Sequence, residues 1–293
     1  MPELPEVETI VNDLKHELSH LVIKKFELLN QKIGLKSSVI NWPLEIFRKR
    51  VEGEKIVSVR RRAKIIVIEL VDGVIAIHLK MTGQLIFENK KKHEIFVGGH
   101  PILGTGRELP NKFTRAIFEF SDDSKLFFND VRRFGWVRYF DKADWVIESL
   151  KFGVEPLENE FTLQTFQNIL QRKKNVTIKQ AIMDAKFLVG VGNIYADESL
   201  FKSGIKPQRK TASLTLEEVK LLLINIPKIL KLSIKNRGTS FNDYVDAKGS
   251  KGNFVKLLQV YGRAGKACFK CGQMLQKTHV GGRGTVWCDE CQK

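Results

Sequence analysis

A chain of 293 residues, 43% hydrophobic, has room for roughly two domains with ordinary cores. No run approaches the ~20 consecutive apolar residues of a membrane span, and the acidic start lacks the basic and apolar regions of a secretory signal, so the expectation is a soluble cytoplasmic protein with no membrane partner. The formal charge of +16, from 49 Lys and Arg against 33 Asp and Glu, points to a polyanion, above all nucleic acid. The basic clusters are dispersed: Arg48–Arg50, Arg60–Arg62 with Lys64, Lys90–Lys92, Arg132–Arg133 and Arg172–Lys174. A folded surface, not a basic tail, has to gather them.

In chain order, residues 5–21 are predicted to form a helix, because Val7, Ile10, Val11, Leu14, Leu18 and Leu21 recur at three- and four-residue steps. Pro5 suits its first turn, and Glu6 and Glu8 suit the positive end of its dipole. Short runs rich in Val, Ile and Phe then predict strands at 56–60, 64–70, 74–79, 84–88, 115–120, 125–128 and 136–140, a pattern of a sandwich or barrel. Residues 89–113, rich in Gly, Pro and Lys, read as a long exposed loop. After a linker at 151–160 the chain turns helical, at 162–174, 177–187, 193–203 and 215–235. Thr215 with Glu218 fits a capping box, and Pro227 is expected to kink or split the last helix. The expected division is 1–150, the linker 151–160, then 161–262 and 263–293. The fold class is α+β and multidomain.

All four cysteines, Cys268, Cys271, Cys288 and Cys291, form C-x2-C-x16-C-x2-C. Without a secretory signal this spacing reads as one closed structural Zn²⁺ site, not as disulfides. Val280 and Val286 flank Gly-Gly-Arg-Gly, which predicts a β-hairpin turning at Gly281–Gly284 with Arg283 at its tip, placed to contact phosphate.

The opening MPELPEVET poses a chemical question. If Met1 is removed, Pro2 carries a free secondary amine. An α-amine titrates near 8, so roughly a tenth is neutral at pH 7, against about four parts in ten thousand for a lysine near 10.4. Such an amine attacking a sugar C1′ yields a charged iminium, an electron sink that drives elimination of the 3′-phosphate, with Glu3 beside it to move protons. Taken alone, these nine residues read first as a helix entry.

At this point the chain resembles the bacterial formamidopyrimidine-DNA glycosylases, nearly end to end. The resemblance rests on MPELPEVET, RRRAKIIVIEL at 60–70, IHLKMTGQL at 77–85, DVRRFG at 130–135, GVGNIYADESL at 190–200, QVYGRAGKACFKCG at 259–272 and the closing CDECQK. It implies an N-terminal β-sandwich with its leading helix, a helix-two-turn-helix domain and a zinc-finger β-hairpin. It implies base-excision repair by a glycosylase and AP lyase that removes 8-oxoguanine and formamidopyrimidines from double-stranded DNA, as a nucleoid-associated monomer. By the same resemblance Pro2 is the nucleophile and Glu3 the proton donor. Lys64, His78, Asn193 and Arg283 hold backbone phosphates. Met81, Arg132 and Phe134 fill the gap left by the extruded nucleotide, a step that costs a few kcal/mol of unstacking. Residues 246–254 resemble a loop closing over the flipped base.

Without the resemblance, Lys64 reads as a strand-edge lysine, His78 as a structural histidine, Asn193 as an N-cap, and Met81 and Phe134 as core. The chain departs from the family in the longer 89–113 loop, in KFTRAIFEF where many members carry Lys-His-x-His, and in Arg237 where many carry glycine. A related class acting on oxidised pyrimidines begins Pro-Glu-Gly-Pro, and Leu4 stands here in place of that glycine. A non-catalytic DNA-binding protein of the same fold would not need the intact Pro2–Glu3 pair.

Overall fold

The computed structural model describes residues 1–29, 38–89, 94–99, 109–239 and 252–293. The chain divides into two compact units, Met1–Ser149 with Arg237–Asn253, and Leu150–Asn236 with Phe254–Lys293.

The first unit is a β-sandwich. Helix α1 (Leu4–Leu18) is followed by β1 (Ile23–Leu28), α2 (Leu44–Val51) and β2 to β9 (Ile56–Arg62, Ile65–Leu70, Gly73–His78, Gly83–Asn89, Glu94–Gly99, Thr114–Phe120, Lys125–Asp130, Trp136–Asp141), then α3 (Lys142–Leu150). One sheet has the order β1-β7-β8-β5-β6 and the other β2-β3-β4-β9, with antiparallel pairing throughout. Phe26, Phe87, Phe118 and Phe128 from the first sheet share one core with Ile66, Ile68, Ile75 and Ile77 from the second. The apolar stripe of α1 packs against β2 and β6, one edge strand from each sheet. Helix α2 packs against β1 and β9, the opposite two edges, with the Phe47 and Phe26 rings 4.5 Å apart. The two helices therefore cover both open sides of the sandwich and shield edges that would otherwise offer unpaired backbone groups.

Two expectations need correction here. Residues 94–99, read as loop, form β6 and pair with β5 from Gln84↔Gly99 to Asn89↔Glu94. The Ile95–Val97 run was short and set among lysines and glycines, which is how an edge strand is written. The strand β1 and helix α2 were missed as well, since Lys24 and Lys25 break the alternation of one and three basic residues crowd the other. Residues 90–93 and 100–108 of the 89–113 stretch lie outside the described residues, as does most of the 246–254 segment.

The second unit is helical: α4 (Leu163–Arg172), α5 (Ile178–Met183), α6 (Asn193–Ser203) and α7 (Leu216–Lys235), followed by a hairpin of β10 (Gln276–Val280) and β11 (Arg283–Trp287). Thr162, Thr177 and Thr215 cap three of the helices, the last two in reciprocal boxes with Gln180 and Glu218. Helix α7 runs unbroken through Pro227, contrary to the expected split. Its buried Leu222, Ile226, Ile229 and Leu230 hold both sides of the proline, and that burial outweighs one lost backbone hydrogen bond. Helix α6 is buried on nearly every side from Tyr195 to Phe201 and forms the spine of the unit. Among the described residues, no helix is long and apolar enough to cross a membrane.

Candidate nucleic-acid interface

Pro2 and Glu3 are buried at the head of α1. Glu6, only 2% exposed, holds that head in place: Oε2 accepts the Glu3 N–H at 2.8 Å and Oε1 accepts the Thr239 N–H at 2.8 Å. The same segment is tied further down the helix, where Arg237 donates to the Asp13 carboxylate at 2.5 Å. Arg237 sits at φ +60°, the left-handed region that favours glycine, and its ion pair with Asp13 offsets the strain. Glu6 as a tether was not anticipated, although its spacing from Glu3 is that of a capping box.

The hairpin between β2 and β3 turns at Ala63–Lys64, with Ala63 at φ +55°. Lys64 is therefore a turn residue, not a strand-edge one. His78 ends β4. Its Nδ1 accepts the Lys80 N–H at 2.9 Å, so the proton of the neutral ring is on Nε2, a donor suited to phosphate. Burial, with the positive charges of Lys80, Lys64 and Arg138, pushes its pKa down to about 3. The ring rests 5.6 Å from that of Trp136.

Met81 and Phe134 are 47% and 54% exposed, which removes the core-packing alternative for both. Arg132 brings them together. Its guanidinium lies 4.7 Å from the Phe134 ring centroid and donates to Met81 Sδ at 3.3 Å. A fully buried carboxylate, Asp130, shapes this turn. Oδ1 accepts the Arg132 N–H at 3.1 Å and the Thr82 hydroxyl, and Oδ2 accepts the Gly135 N–H at 2.7 Å. A Cβ at Gly135 would stand 2.7 Å from the Phe128 ring, so the turn needs glycine there. The result is an apolar and cationic knob on the surface, of the shape that fills a vacated base position.

In the second unit Asn193 is the first residue of α6, with Gly192 in the cap position. Its Nδ2 donates to the Gly284 carbonyl at 2.9 Å, which couples the helix start to the hairpin. Gly281 and Gly282, both at positive φ, make the two-residue turn, and the exposed Arg283 follows directly. Beneath it Lys179 and Asp197, both essentially unexposed, form an ion pair at 2.6 Å. Lys179 also donates to Thr285 Oγ1 at 2.7 Å, and Asp197 accepts the Val286 N–H at 3.1 Å. Burial pushes the Asp197 carboxyl up to about 6, against the pull of Lys179. The neighbouring Glu198 accepts three backbone N–H groups, from Gln259, Val260 and Tyr261. Sequence reasoning missed both carboxylates. Their only signal was an Asp-Glu pair inside a helix otherwise buried.

The four cysteine Sγ atoms lie within 4.8 Å of one another and form no disulfide. Four thiolates about 2.3 Å from one tetrahedral ion stand about 3.8 Å apart. The Cys271–Cys288 and Cys268–Cys291 separations of 3.4 and 3.9 Å bracket that value, so the set fits a closed metal site with no position left for chemistry. Gln292 anchors it, accepting from the Cys288 N–H at 2.9 Å and donating to the Ile205 carbonyl at 2.7 Å.

Two family models match the chain: the formamidopyrimidine-DNA glycosylase N-terminal domain over residues 1–137 and the formamidopyrimidine-DNA glycosylase H2TH domain over 152–244. Formamidopyrimidine-DNA glycosylases of Pelotomaculum thermopropionicum and Carboxydothermus hydrogenoformans are 38% and 39% identical to it, with all of this chain and 99% and 100% of the relatives covered. Among solved structures, a mutant of Lactococcus lactis FPG in complex with a Fapy-dG-containing DNA superimposes with a TM-score of 0.84 at 31% identity, over the whole of both chains. The Lactococcus lactis protein bound to an oxidised-pyrimidine-containing DNA gives 0.83, also at 31%. The DNA in those complexes matches the excess positive charge of this chain, which belongs to the formamidopyrimidine-DNA glycosylase family of DNA-binding repair glycosylases.

Proposed function

We propose that the protein excises oxidised purines, 8-oxoguanine and formamidopyrimidines, from double-stranded DNA and then cleaves the abasic strand. The reading is supported above all by Pro2 and Glu3 at the buried head of α1, held by the two hydrogen bonds of Glu6. Removal of Met1 frees the Pro2 amine. Its nitrogen forms a bond to C1′ as the C1′–N9 bond breaks, with the electron pair leaving on the base, which takes a proton. The nitrogen then gives up its proton, the C1′–O4′ bond breaks with its electron pair leaving on O4′, which takes a proton, and the ring-opened iminium so formed acidifies C2′. Loss of that proton expels the 3′-phosphate, and a second elimination releases the 5′-phosphate. Glu3 serves as the proton donor and acceptor next to the reacting carbon. Lys64, His78, Asn193 and Arg283 hold backbone phosphates, and Met81, Arg132 and Phe134 occupy the vacated stack. The four cysteines hold one structural Zn²⁺, and residues 263–293 act with 161–262 in gripping DNA as a cytoplasmic monomer.

Borohydride trapping on a duplex with 8-oxoguanine opposite cytosine tests this. The wild-type protein is expected to give a covalent adduct that Pro2→Gly abolishes, and an untrappable wild type, or equal trapping by the variant, would refute the mechanism. The oxidised-pyrimidine complex of the Lactococcus lactis protein favours a second reading of the lesion range. Faster turnover of thymine glycol than of 8-oxoguanine would select it.

A further inference from the structure

A groove of about 510 Å³ lies within the second unit, where the later turns of α6 and α7 meet residues 254–259 and the first cysteine knuckle. Its lining is largely apolar, with Ile229, Leu232, Leu257 and the Phe269 ring, 68% exposed. Lys202, Lys228 and Lys270 stand on the rim, all exposed. Among the described residues, no carboxylate pairs with any of the three. Glu198 also lines the groove, but its carboxylate is buried and spent on three N–H groups, so it offers an incoming acid no competing charge. On α7 the exposed Leu221, Ile224, Lys228 and Leu232 follow one another at three- and four-residue steps and lengthen the apolar lining into a strip.

From this charge and shape we propose that the groove docks an acidic, amphipathic peptide segment of a partner protein. Leucine or phenylalanine anchors would lie along the apolar lining and Asp or Glu side chains would meet the three lysines, the helix-in-groove mode of recognition. Single-stranded nucleic acid fits less well. It needs a row of free aromatic faces, and the groove offers one exposed ring, Phe269, with one face covered by the Arg263 guanidinium at 3.3 Å. The groove lining includes neither Asn193 nor Arg283, the two side chains proposed to hold phosphate in this unit. Asn193 opens α6, and Lys202 is about 13 Å further along its axis. Peptide docking in this groove does not depend on phosphate binding by Asn193.

The test titrates the zinc-loaded full-length protein, with and without saturating abasic-analogue duplex, into a fluorescein-labelled synthetic peptide. The peptide carries Asp and Glu on one helical face and Leu and Phe on the other, and binding is read by anisotropy. A Kd of about 1–100 μM is expected, unchanged by duplex. Lys202→Glu with Lys228→Glu should weaken it at least about tenfold, as should Leu232→Asp, while lesion excision by each variant stays near the wild-type rate; those side chains are exposed, so the fold is expected to survive. Four results overturn the proposal: no binding at about 1 mM peptide, equal binding of a control with Ser in place of Leu and Phe, displacement by the duplex, or competition by oligo(dT) that the same variants abolish. The last would make the groove a single-strand site.

Discussion

Each unit presents its surface cations on a tight turn, and each steadies that turn with a buried carboxylate, but the two carboxylates are satisfied in opposite ways. Among the described residues, the Asp130 carboxylate takes neutral donors: the Arg132 and Gly135 N–H groups and the Thr82 hydroxyl. Asp197 takes one N–H, from Val286, and a buried ammonium, Lys179. The first arrangement shapes a loop from within, since all three of these partners belong to the loops that carry Met81 and Arg132. The second fastens separate elements, because Lys179 is on α5, Asp197 on α6 and Val286 on β11. A hydrogen-bonded carboxylate tolerates loss of charge better than a buried ion pair tolerates loss of either member.

The largest effect is expected from stripping the four cysteines of the structural metal proposed for them. A structural tetrathiolate site contributes apparent free energy on the order of 10 kcal/mol to its own fold. A strong chelator should therefore melt the β10–β11 hairpin and abolish DNA binding, while the sandwich retains its thermal transition. Retained hairpin amide dispersion in NMR without metal would break the picture. Next comes the ion pair. Lys179→Met leaves Asp197 buried without its cation and should cost about 3–5 kcal/mol of stability in denaturant melts. Lys179→Met with Asp197→Leu should recover most of that loss. A double variant as unstable as the single would mean that the Val286 contact, not the charge pair, is decisive.

Asp130→Asn is the matching change in the first unit, with a smaller expected cost of about 1.5–3 kcal/mol. The amide must turn an N–H₂ toward either the Thr82 and Arg132 side or the Gly135 N–H, so the knob of Met81, Arg132 and Phe134 loosens. Excision should fall more steeply than stability does. Equal losses in the two, read by single-turnover excision and urea melts, would count against a shaping role.

The same contrast explains what could be read from the sequence. Helix α6 was legible to the residue because Gly190 and Gly192 precede it and Gly204 ends it. The hairpin was legible from two valines around paired glycines. The cysteine cluster followed from spacing alone. Arg283, proposed to hold phosphate, followed from its place on the hairpin tip, whereas Met81, Arg132 and Phe134, proposed to fill the vacated stack, were reachable only through motif resemblance, since an isolated Met or Phe reads as core. Asp130, Lys179, Asp197 and Glu6 were not seen. Their partners are backbone N–H groups and side chains as much as 233 residues away in sequence. No local pattern encodes such a pairing.

His78 supplies a third solution, and the smallest expected effect. Where Asp130 is hydrogen-bonded and Asp197 is paired, His78 avoids the cost of partial burial by staying neutral. Lys80 donates to its Nδ1, and Lys64, Lys80 and Arg138 oppose a second proton. Its folded pKa, about 3, lies below the ordinary 6.5. The unfolded chain therefore binds the extra proton first on acidification. The stability from neutral His78 is complete above about pH 6.5 and is lost progressively as the pH falls toward 3. His78→Gln removes the titrating group and keeps a hydrogen-bonding side chain. Its melting temperature should vary less between pH 4 and 7 than that of the wild type, which falls relative to the variant as the pH drops. Parallel curves would place the acid sensitivity of this unit on its carboxylates instead.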